Sequence, residues 1–214
     1  MRRLLLVLAV LLVVGSVAEA QQPLWRTGGR VLYVPSESTS ETVGDTGTRL
    51  ELQSGAGLEL DATLLFAGQF AVEFTVGGTG HDLRGIGDTL KCTGVDGGTV
   101  WLIPVTAVFQ YHPPIFGPWD PYVGLGLAYV APISNLSSEF EELGFDQLDL
   151  DGEAGLVAQA GVGYQLDDHW YLNIDFRYVQ ASIEARVRSD DTDYPPVELD
   201  MNPVLVGFGV GYRF

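Results

Sequence analysis

Apolar and polar residues alternate with a period of two along much of the chain. From Trp101 to Tyr111 every odd position is apolar or aromatic, and from Trp170 to Tyr178 every even one is. Successive side chains of a strand point to opposite faces, whereas a helical period would set Asp175 among apolar neighbours, so the pattern predicts β-strands. The eight predicted strands are 24–34, 57–66, 70–77, 99–111, 121–131, 153–166, 170–187 and 197–214.

The connections between the predicted strands alternate in length. The short ones are 67–69, 112–120 and 167–169, and the long ones are about 35–56, 78–98, 132–152 and 188–196. Short turns at one end and long loops at the other are typical of a membrane barrel, whose closure leaves no unpaired strand edge. We therefore predict an all-β fold: a closed eight-stranded antiparallel transmembrane β-barrel with short periplasmic turns and long extracellular loops.

The first 20 residues have the form of a secretory signal peptide. Arg2 and Arg3 precede an apolar run at Leu4–Val14, and Ala18–Ala20 supplies a small-x-small cleavage pattern. The apolar run is shorter than the ~20 residues that a membrane-spanning helix needs. We predict a signal peptide at 1–20, and a single exported barrel domain at 21–214.

Composition and charge argue against several classes of function. The formal net charge of −17 disfavours binding to nucleic acid. The single cysteine, Cys92, has no partner for an internal disulfide. The three histidines, His81, His112 and His169, fall into no catalytic arrangement, so no enzyme is expected. The acidic run at 146–153 lacks the closing glutamate of a calcium loop, and neither a metal site nor a cofactor is expected.

Several sequence blocks resemble the OmpW family of outer-membrane proteins. They are Pro121–Gly126, Gly161–Tyr164 followed by Asp168–Trp170, and Asn202–Pro203 followed by Gly211–Phe214. The resemblance lies in their order and spacing over about 190 residues. It implies an eight-stranded barrel of the cell outer membrane, with an apolar lumen that is thought to pass small hydrophobic molecules.

The end of the chain resembles the signal by which outer-membrane barrels are handed to the assembly machinery. The signal residues alternate along the last predicted strand: Phe208, Val210, Tyr212 and Phe214. The expected partners are therefore the barrel assembly machinery, outer-membrane lipid with lipopolysaccharide, and small hydrophobic solutes.

Strand direction and parity also predict what lines the lumen at each depth. The upper lumen, near the long loops, is predicted to bind a hydrophobic ligand through Val100, Leu102, Pro104, Val130, Val157, Val179, Met201 and Leu205. Barrel lumens are ordinarily polar, so an apolar section suggests a binding funnel. The alternative is that these side chains fill a narrow barrel, since eight strands enclose room for side chains or one small ligand.

The lower lumen is predicted to be closed by a salt-bridged floor. Its members are Arg26, Glu73, Asp175, Arg177 and Arg213. A charge buried there without a partner would be costly, so pairing is expected. OmpW proteins tend to place a bulky aromatic residue where Arg177 falls, and the gating residue of the family is therefore not carried over to this chain.

These expectations favour an outer-membrane channel that passes or binds small hydrophobic molecules through the apolar upper lumen. Pro104 and Pro203 interrupt their strands near the upper lumen, and a proline has no N–H to give to the ladder. They indicate lateral release of the solute into the bilayer, or else they merely bend their strands at the rim. The alternative function is a structural or receptor-type barrel with a plugged lumen that acts through its loops.

Overall fold

The computed structural model describes residues 24–35, 38–43, 48–87, 95–114, 117–136, 147–180, 182–189, 192–193, 197–200 and 202–214. The predicted signal peptide, Cys92 and Met201 lie outside the described residues. Within these ranges, no helix is long and apolar enough to cross a membrane. The strands of the described residues are β1 Leu24–Val34, β2 Ser38–Val43, β3 Thr48–Leu52, β4 Gly55–Phe66, β5 Phe70–Gly87, β6 Val95–Tyr111, β7 Trp119–Leu136, β8 Gln147–Asp151, β9 Glu153–Gln165, β10 Trp170–Gln180, β11 Ser182–Ser189, β12 Thr192–Asp193, β13 Val197–Asp200 and β14 Val204–Arg213.

Eight of these strands form a closed antiparallel barrel. The order around the barrel is β1, β4, β5, β6, β7, β9, β10 and β14, and β14 pairs with β1 from Arg26–Arg213 to Tyr33–Val206. Every predicted strand is present in this ring, which confirms the predicted fold. Closure satisfies the backbone donors and acceptors that hydrocarbon would leave unpaired.

Side chains alternate between the lumen and the outer face as the sequence pattern predicts. Along β10, Asn173, Asp175 and Arg177 are buried inside, whereas Leu172 and Phe176 are exposed outside. The outward side chains of the other strands are also mainly large and apolar. A polar or filled interior with an apolar outer face is what a barrel in a bilayer requires.

Several strands extend beyond the predicted limits. The sequence placed 78–98 in a loop, but β5 continues through the glycine-rich stretch Gly77–Gly80 to Gly87. Its last residues pair with β3 and with the first part of β6, and this tertiary pairing overrides the weak local preference for a strand.

The two C-terminal predicted strands are each divided in the structure. The span 170–187 separates into β10 and β11, and 197–214 separates into β13 and β14, with Pro203 in the second break. Since Pro203 has no N–H, it ends the ladder there. β11 pairs with β8, β12 and β13 in a small second sheet that continues from the long-loop end of the barrel.

A charge placed on the outer face tests the position of the barrel in the bilayer. Leu60 lies in the middle of β4 with 66% of its surface exposed, and Leu166 lies beside a short turn with 54% exposed. We expect Leu60→Arg to lower the free energy of unfolding in lipid by about 2–4 kcal/mol, and Leu166→Arg by about 0–1 kcal/mol. Equal losses in the two variants, measured by urea denaturation in vesicles, would contradict the placement.

Candidate functional site

Six charged side chains meet inside the barrel near the middle of β1 and β10. We call them the central ion network, and its members are Arg30, Glu59, Asp61, Glu73, Asp175 and Arg177. All six are buried. They come from β1, β4, β5 and β10, so the network joins strands on different sides of the lumen.

Each arginine of the central ion network binds one glutamate through two nitrogen atoms. Arg30 donates from Nη1 and Nη2 to the two carboxylate oxygens of Glu73, at 3.0 and 2.8 Å. Arg177 donates from Nη1 and Nη2 to Glu59 at 2.6 and 2.5 Å, and its Nε donates to Asp175 at 2.6 Å. Arg30 also donates to Glu59 at 3.1 Å, which joins the two halves. Such two-nitrogen contacts are among the strongest charge-assisted hydrogen bonds.

Neutral side chains on other strands of the barrel extend the network through hydrogen bonds. Gln159 donates to Glu73 at 3.0 Å and to Asp175 at 2.7 Å. Gln110 donates to Glu73 at 3.0 Å, and the Tyr122 hydroxyl donates to Asp175 at 3.0 Å. These residues lie on β6, β7 and β9, so the network and its hydrogen-bond partners cross the lumen. We call the central ion network together with Gln110, Tyr122 and Gln159 the plug.

Acid is in excess within the central ion network. Its four carboxylates face two guanidinium groups. Asp61 approaches Arg30 only to 3.4 Å, and its Oδ2 has no hydrogen-bond partner among the described residues. Because an unpaired buried charge is costly, the network depends on both arginines.

Glycines on the lumen face make room for the large side chains of the plug. A Cβ on Gly209 would overlap the Arg30 side chain, whereas one on Gly207 would make ordinary contact with it, 3.4 Å from Cδ. A Cβ on Gly161 would likewise overlap the ring of Tyr122. The inward glycines therefore admit neighbouring side chains and do not leave an empty space beside a thin wall.

The predicted floor is corrected in two of its arginines. Glu73, Asp175 and Arg177 meet as predicted, but Arg26 binds Asp120 at 2.5 Å, nearer the short turns. Arg213 lies opposite Arg26 and forms no ion pair with a described residue. The two differ from the prediction because parity and strand direction place a side chain in the lower lumen but do not fix its partner.

Arg30, Glu59 and Asp61 complete the network, and none of the three belonged to the predicted floor. A signal for each was present, since Arg30 shares the inward parity of Arg26, four residues earlier in the same strand. Glu59 lies two residues before Asp61 and shares its face. Parity alone therefore marks all three as lumen residues, whereas only the folded barrel shows that they pair.

Apolar side chains line the lumen above the central ion network, as predicted. Of the predicted ligand-binding residues, six have only 1–6% of their surface exposed: Val100, Leu102, Val130, Val157, Val179 and Leu205. Pro104 is buried with them, and Leu32 and Val34 of β1 add to the set. In this conformation neighbouring protein atoms cover these side chains, so a solute would have to displace them to enter.

The upper lumen also contains a polar pair on β5. His81 and Thr79 are buried, and Nε2 of His81 lies 3.0 Å from the Thr79 hydroxyl. Nδ1 of His81 lies 2.9 Å from the carbonyl oxygen of Gln53. Sequence analysis placed His81 in a loop, and the extension of β5 brings it into the barrel. The upper lumen is therefore mainly, but not wholly, apolar.

The wall is interrupted beside Pro104. Register pairs between β5 and β6 run from the short turn to Val76–Val105 and resume only at Thr79–Leu102. Between these pairs, Gly77 and Gly78 lie opposite Pro104 and Ile103 but form no ladder pair with β6. Gly78 lies on the outward face, where a Cβ would meet no atom within 4 Å. The register is the same on both sides of the missing pairs, so β5 and β6 stay adjacent here but are weakly paired.

A second seam ends beside Pro203. Pairing between β1 and β14 stops at Tyr33–Val206, so Leu205 and Val204 have no register partner on β1. On the other side, the carbonyl oxygen of Pro203 still accepts a hydrogen bond from Val179 N at 3.0 Å. Both prolines that the sequence singled out therefore border a place where ladder pairs are missing, within the β5–β6 ladder at Pro104 and at the end of the β1–β14 ladder at Pro203.

The chain is similar to known outer-membrane proteins over most of its length. The model of the OmpW family matches residues 28–214. A protein of Sinorhizobium fredii named as the uncharacterized outer-membrane protein y4mB is 32% identical over 190 residues, which cover 89% of this chain and 80% of that protein. Outer membrane protein W of Vibrio cholerae is 28% identical over 188 residues, which cover 87% of this chain and 86% of that protein.

A solved structure shows the same fold. The crystal structure of the outer membrane protein OprG from Pseudomonas aeruginosa superposes with a TM-score of 0.80. The match covers 89% of this chain and 95% of OprG, at 24% sequence identity. The resemblance seen in the sequence blocks is thereby confirmed.

Removing one arginine tests whether the central ion network closes the lumen. Arg177→Met leaves Glu59 and Asp175 without their main partner, and we expect the free energy of unfolding to fall by about 3–5 kcal/mol. Ion conductance in planar bilayers should rise. The matched double variant Arg177→Met/Glu59→Gln removes the pair together and should recover much of the lost stability. Unchanged stability and conductance in Arg177→Met would show that the plug does not depend on this pair.

Proposed function

This chain belongs to the OmpW family of outer-membrane β-barrel proteins, and from that premise we propose that it takes small hydrophobic molecules into the upper lumen and releases them sideways into the bilayer. The long loops of such barrels face the exterior, so a solute enters from that side. The apolar side chains above the plug supply the surface that receives it.

The central ion network supports a sideways exit. A solute that passed through the plug would leave apolar contacts for a layer of buried charges. Each exposed methylene costs about 0.8 kcal/mol, so a chain of five or six methylenes would lose about 4 kcal/mol. Escape through the wall into lipid avoids this loss, because one apolar environment replaces another.

The observation that carries the proposal is the interrupted ladder between β5 and β6. Pro104 and Leu102 are consecutive inward residues of β6, so the break lies directly beside the apolar section. The next inward residue, Thr106, hydrogen-bonds to Thr75 at 2.8 Å, and Thr75 accepts a hydrogen bond from Arg177 at 3.3 Å. The gap therefore lies immediately above the plug, where a descending solute would stop.

A structural or receptor-type barrel is the second candidate. It is favoured by the covered apolar side chains, which leave the upper lumen filled in this conformation. The second sheet formed by β8, β11, β12 and β13 would then present the binding surface. Retention of an alkane or an aromatic hydrocarbon by the purified barrel distinguishes the two functions, since a filled structural barrel retains neither.

Assembly and membrane partners are part of the same proposal. The barrel assembly machinery would recognise the alternating residues that end in Phe214, and outer-membrane lipid with lipopolysaccharide would surround the barrel. In the structure, Phe214 N donates to the carbonyl oxygen of Trp25 at 3.0 Å, and its ring packs against Tyr212 with 5.2 Å between centroids. These aromatic side chains lie at the short-turn end, where interfacial aromatics are typical.

Replacing the terminal aromatic residue tests the assembly step. We expect Phe214→Ala to reduce the amount of protein at the cell surface several-fold, with export intact, so that the protein collects in the periplasm. Phe66→Ala is the matched control, because it removes an aromatic residue at the same end of the barrel without changing the terminal pattern. Normal surface labelling of Phe214→Ala would contradict a role in assembly.

Cross-linking the interrupted seam tests lateral release. A disulfide between Gly78→Cys and Ile103→Cys, in a Cys92→Ser background, would hold β5 and β6 together at the gap. We expect it to slow uptake of phenylnaphthylamine into vesicles at least tenfold, with recovery after reduction. The control pair Phe74→Cys/Ala107→Cys bridges the same strands where the ladder is already continuous, and should leave uptake unchanged.

The second seam needs its own cross-link. Pro35→Cys/Val204→Cys bridges β1 and β14 just above their last register pair. If uptake proceeds at the unmodified rate with both seams closed, lateral release is wrong and the solute passes through the plug. If neither the open nor the closed barrel speeds uptake above that of empty vesicles, the transport proposal itself fails.

A further inference from the structure

A cavity lies on the side of the plug opposite the upper lumen. It has a volume of about 590 Å³ and lies at the short-turn end of the barrel. Its lining includes Arg26, Asp120, His112 and Arg213. We call it the lower vestibule. Its volume falls within the range of small-molecule sites, and the central ion network separates it from the upper lumen.

Two arginines face each other directly in the lower vestibule. Arg26 on β1 and Arg213 on β14 are a register pair of the closing seam. Side chains directly opposite in an antiparallel pair are close neighbours, and like charges in that position destabilise the sheet. Such a pair is unfavourable unless negative charge lies nearby to compensate it.

The described residues supply only part of that compensation. Asp120 binds Arg26 through Oδ2 at 2.5 Å, and its Oδ1 lies 2.9 Å from Nδ1 of His112. Both carboxylate oxygens are therefore already engaged. Arg213 forms no ion pair and no side-chain hydrogen bond with any described residue, and Nε of Arg26 is buried without a partner. Among the described residues, Asp120 is thus the carboxylate that acts on Arg213, and it forms its ion pair with Arg26 instead.

The acidic residues at the mouth do not fill this role. Asp167 and Asp168 belong to the exposed short turn between β9 and β10. Asp167 accepts hydrogen bonds from the backbone amides of Trp170 and His169, at 2.8 Å each. These two amides hold the pKa of Asp167 below its usual value. The carboxylate is therefore already stabilised by the backbone of its own turn.

Inward side chains of the neighbouring strands add apolar and aromatic surface to the lower vestibule. They are Leu24, Leu65 and Tyr171. The Arg26 guanidinium lies 5.4 Å from the centre of the Tyr171 ring, which holds it in place from one side. A ligand that suits this cavity has one negative group for the arginines and an apolar body for the walls.

We propose that the lower vestibule binds a small organic carboxylate, with its carboxylate between Arg26 and Arg213 and its apolar part against Leu24, Leu65 and Tyr171. Guanidinium groups match carboxylates through paired, charge-assisted hydrogen bonds. The site is open from the periplasmic side and lies below the plug. It therefore goes beyond the proposed function, and its occupant need not be the solute of the upper lumen.

Binding of benzoate to the intact barrel in phosphatidylcholine nanodiscs tests the site. Equilibrium dialysis measures affinity, and the side-chain NMR signals of labelled arginines report where the ligand lies. We expect benzoate to shift the signals of Arg26 and Arg213, and the neutral analogue benzyl alcohol to bind at least tenfold more weakly. Equal binding of the two compounds would overturn the proposal, because the arginines would then contribute nothing.

Variants of Arg213 assign the binding to this residue. Arg213→Gln should weaken benzoate binding at least tenfold, and Arg213→Lys should retain part of it because the charge remains. The matched control Arg84→Gln removes an exposed arginine at the other end of the barrel and should bind benzoate normally. Heat-modifiable migration on gels verifies that each variant is folded, and unchanged affinity in folded Arg213→Gln would overturn the proposal.

A lipid headgroup is the other source of a negative group at this depth. The dialysis is therefore repeated in phosphatidylglycerol nanodiscs at high ionic strength, where the surface charge of the lipid is screened. Equal benzoate affinity in the two lipids supports a free carboxylate as the occupant. If benzoate affinity is tenfold lower in phosphatidylglycerol than in phosphatidylcholine, and Arg213→Gln shows no such difference, the site belongs to a lipid phosphate.

Uptake of phenylnaphthylamine should be the same in Arg213→Gln and the unmodified barrel. Failure of the benzoate test therefore leaves the proposed function untouched.

Discussion

Closure of the backbone ladder is the constraint on which the rest of this molecule depends. Hydrocarbon offers no hydrogen bonds, so a strand in the membrane must pair on both sides, and the β1–β14 seam completes the ring. Once the ring is closed, every second side chain of each strand points into a narrow lumen. The side chains that fill this lumen therefore determine what the barrel can bind or pass.

The filling is layered. Apolar side chains occupy the space near the long loops, the central ion network crosses the middle, and the lower vestibule opens at the short turns. The plug layer is stable because each arginine binds a carboxylate with two nitrogen atoms and because Gln110, Gln159 and Tyr122 satisfy remaining carboxylate oxygens. The two places beside the prolines where ladder pairs are missing lie above this layer, within the described residues, and so concern the apolar layer alone.

The period-two pattern was sufficient to predict the eight barrel strands and the face of each residue, because both follow from strand geometry. Partners were harder to predict, since they depend on how far each tilted strand is displaced against the next. Arg26 and Arg30 share a face of β1, yet one binds Asp120 and the other Glu73. The contact between Arg177 and Glu59 joins residues 118 positions apart, for which the sequence offers no local signal. The extension of β5 was missed because it depends on long-range pairing with β3 and β6, which no local pattern around Gly77–Gly80 indicates.

The glycines of β14 have a consequence for how the barrel is completed. In the correct register, Gly207 and Gly209 face the side chain of Arg30, and Phe208 between them faces lipid. A slip of one residue along the closing seam turns every side chain of the strand to the opposite face. It would drive Phe208 into the space of Arg30 and leave the guanidinium without room to reach Glu73. A single aromatic residue between two glycines thus discriminates against misregistered closure, and the ion pairs of the lumen form only when the first and last strands meet correctly.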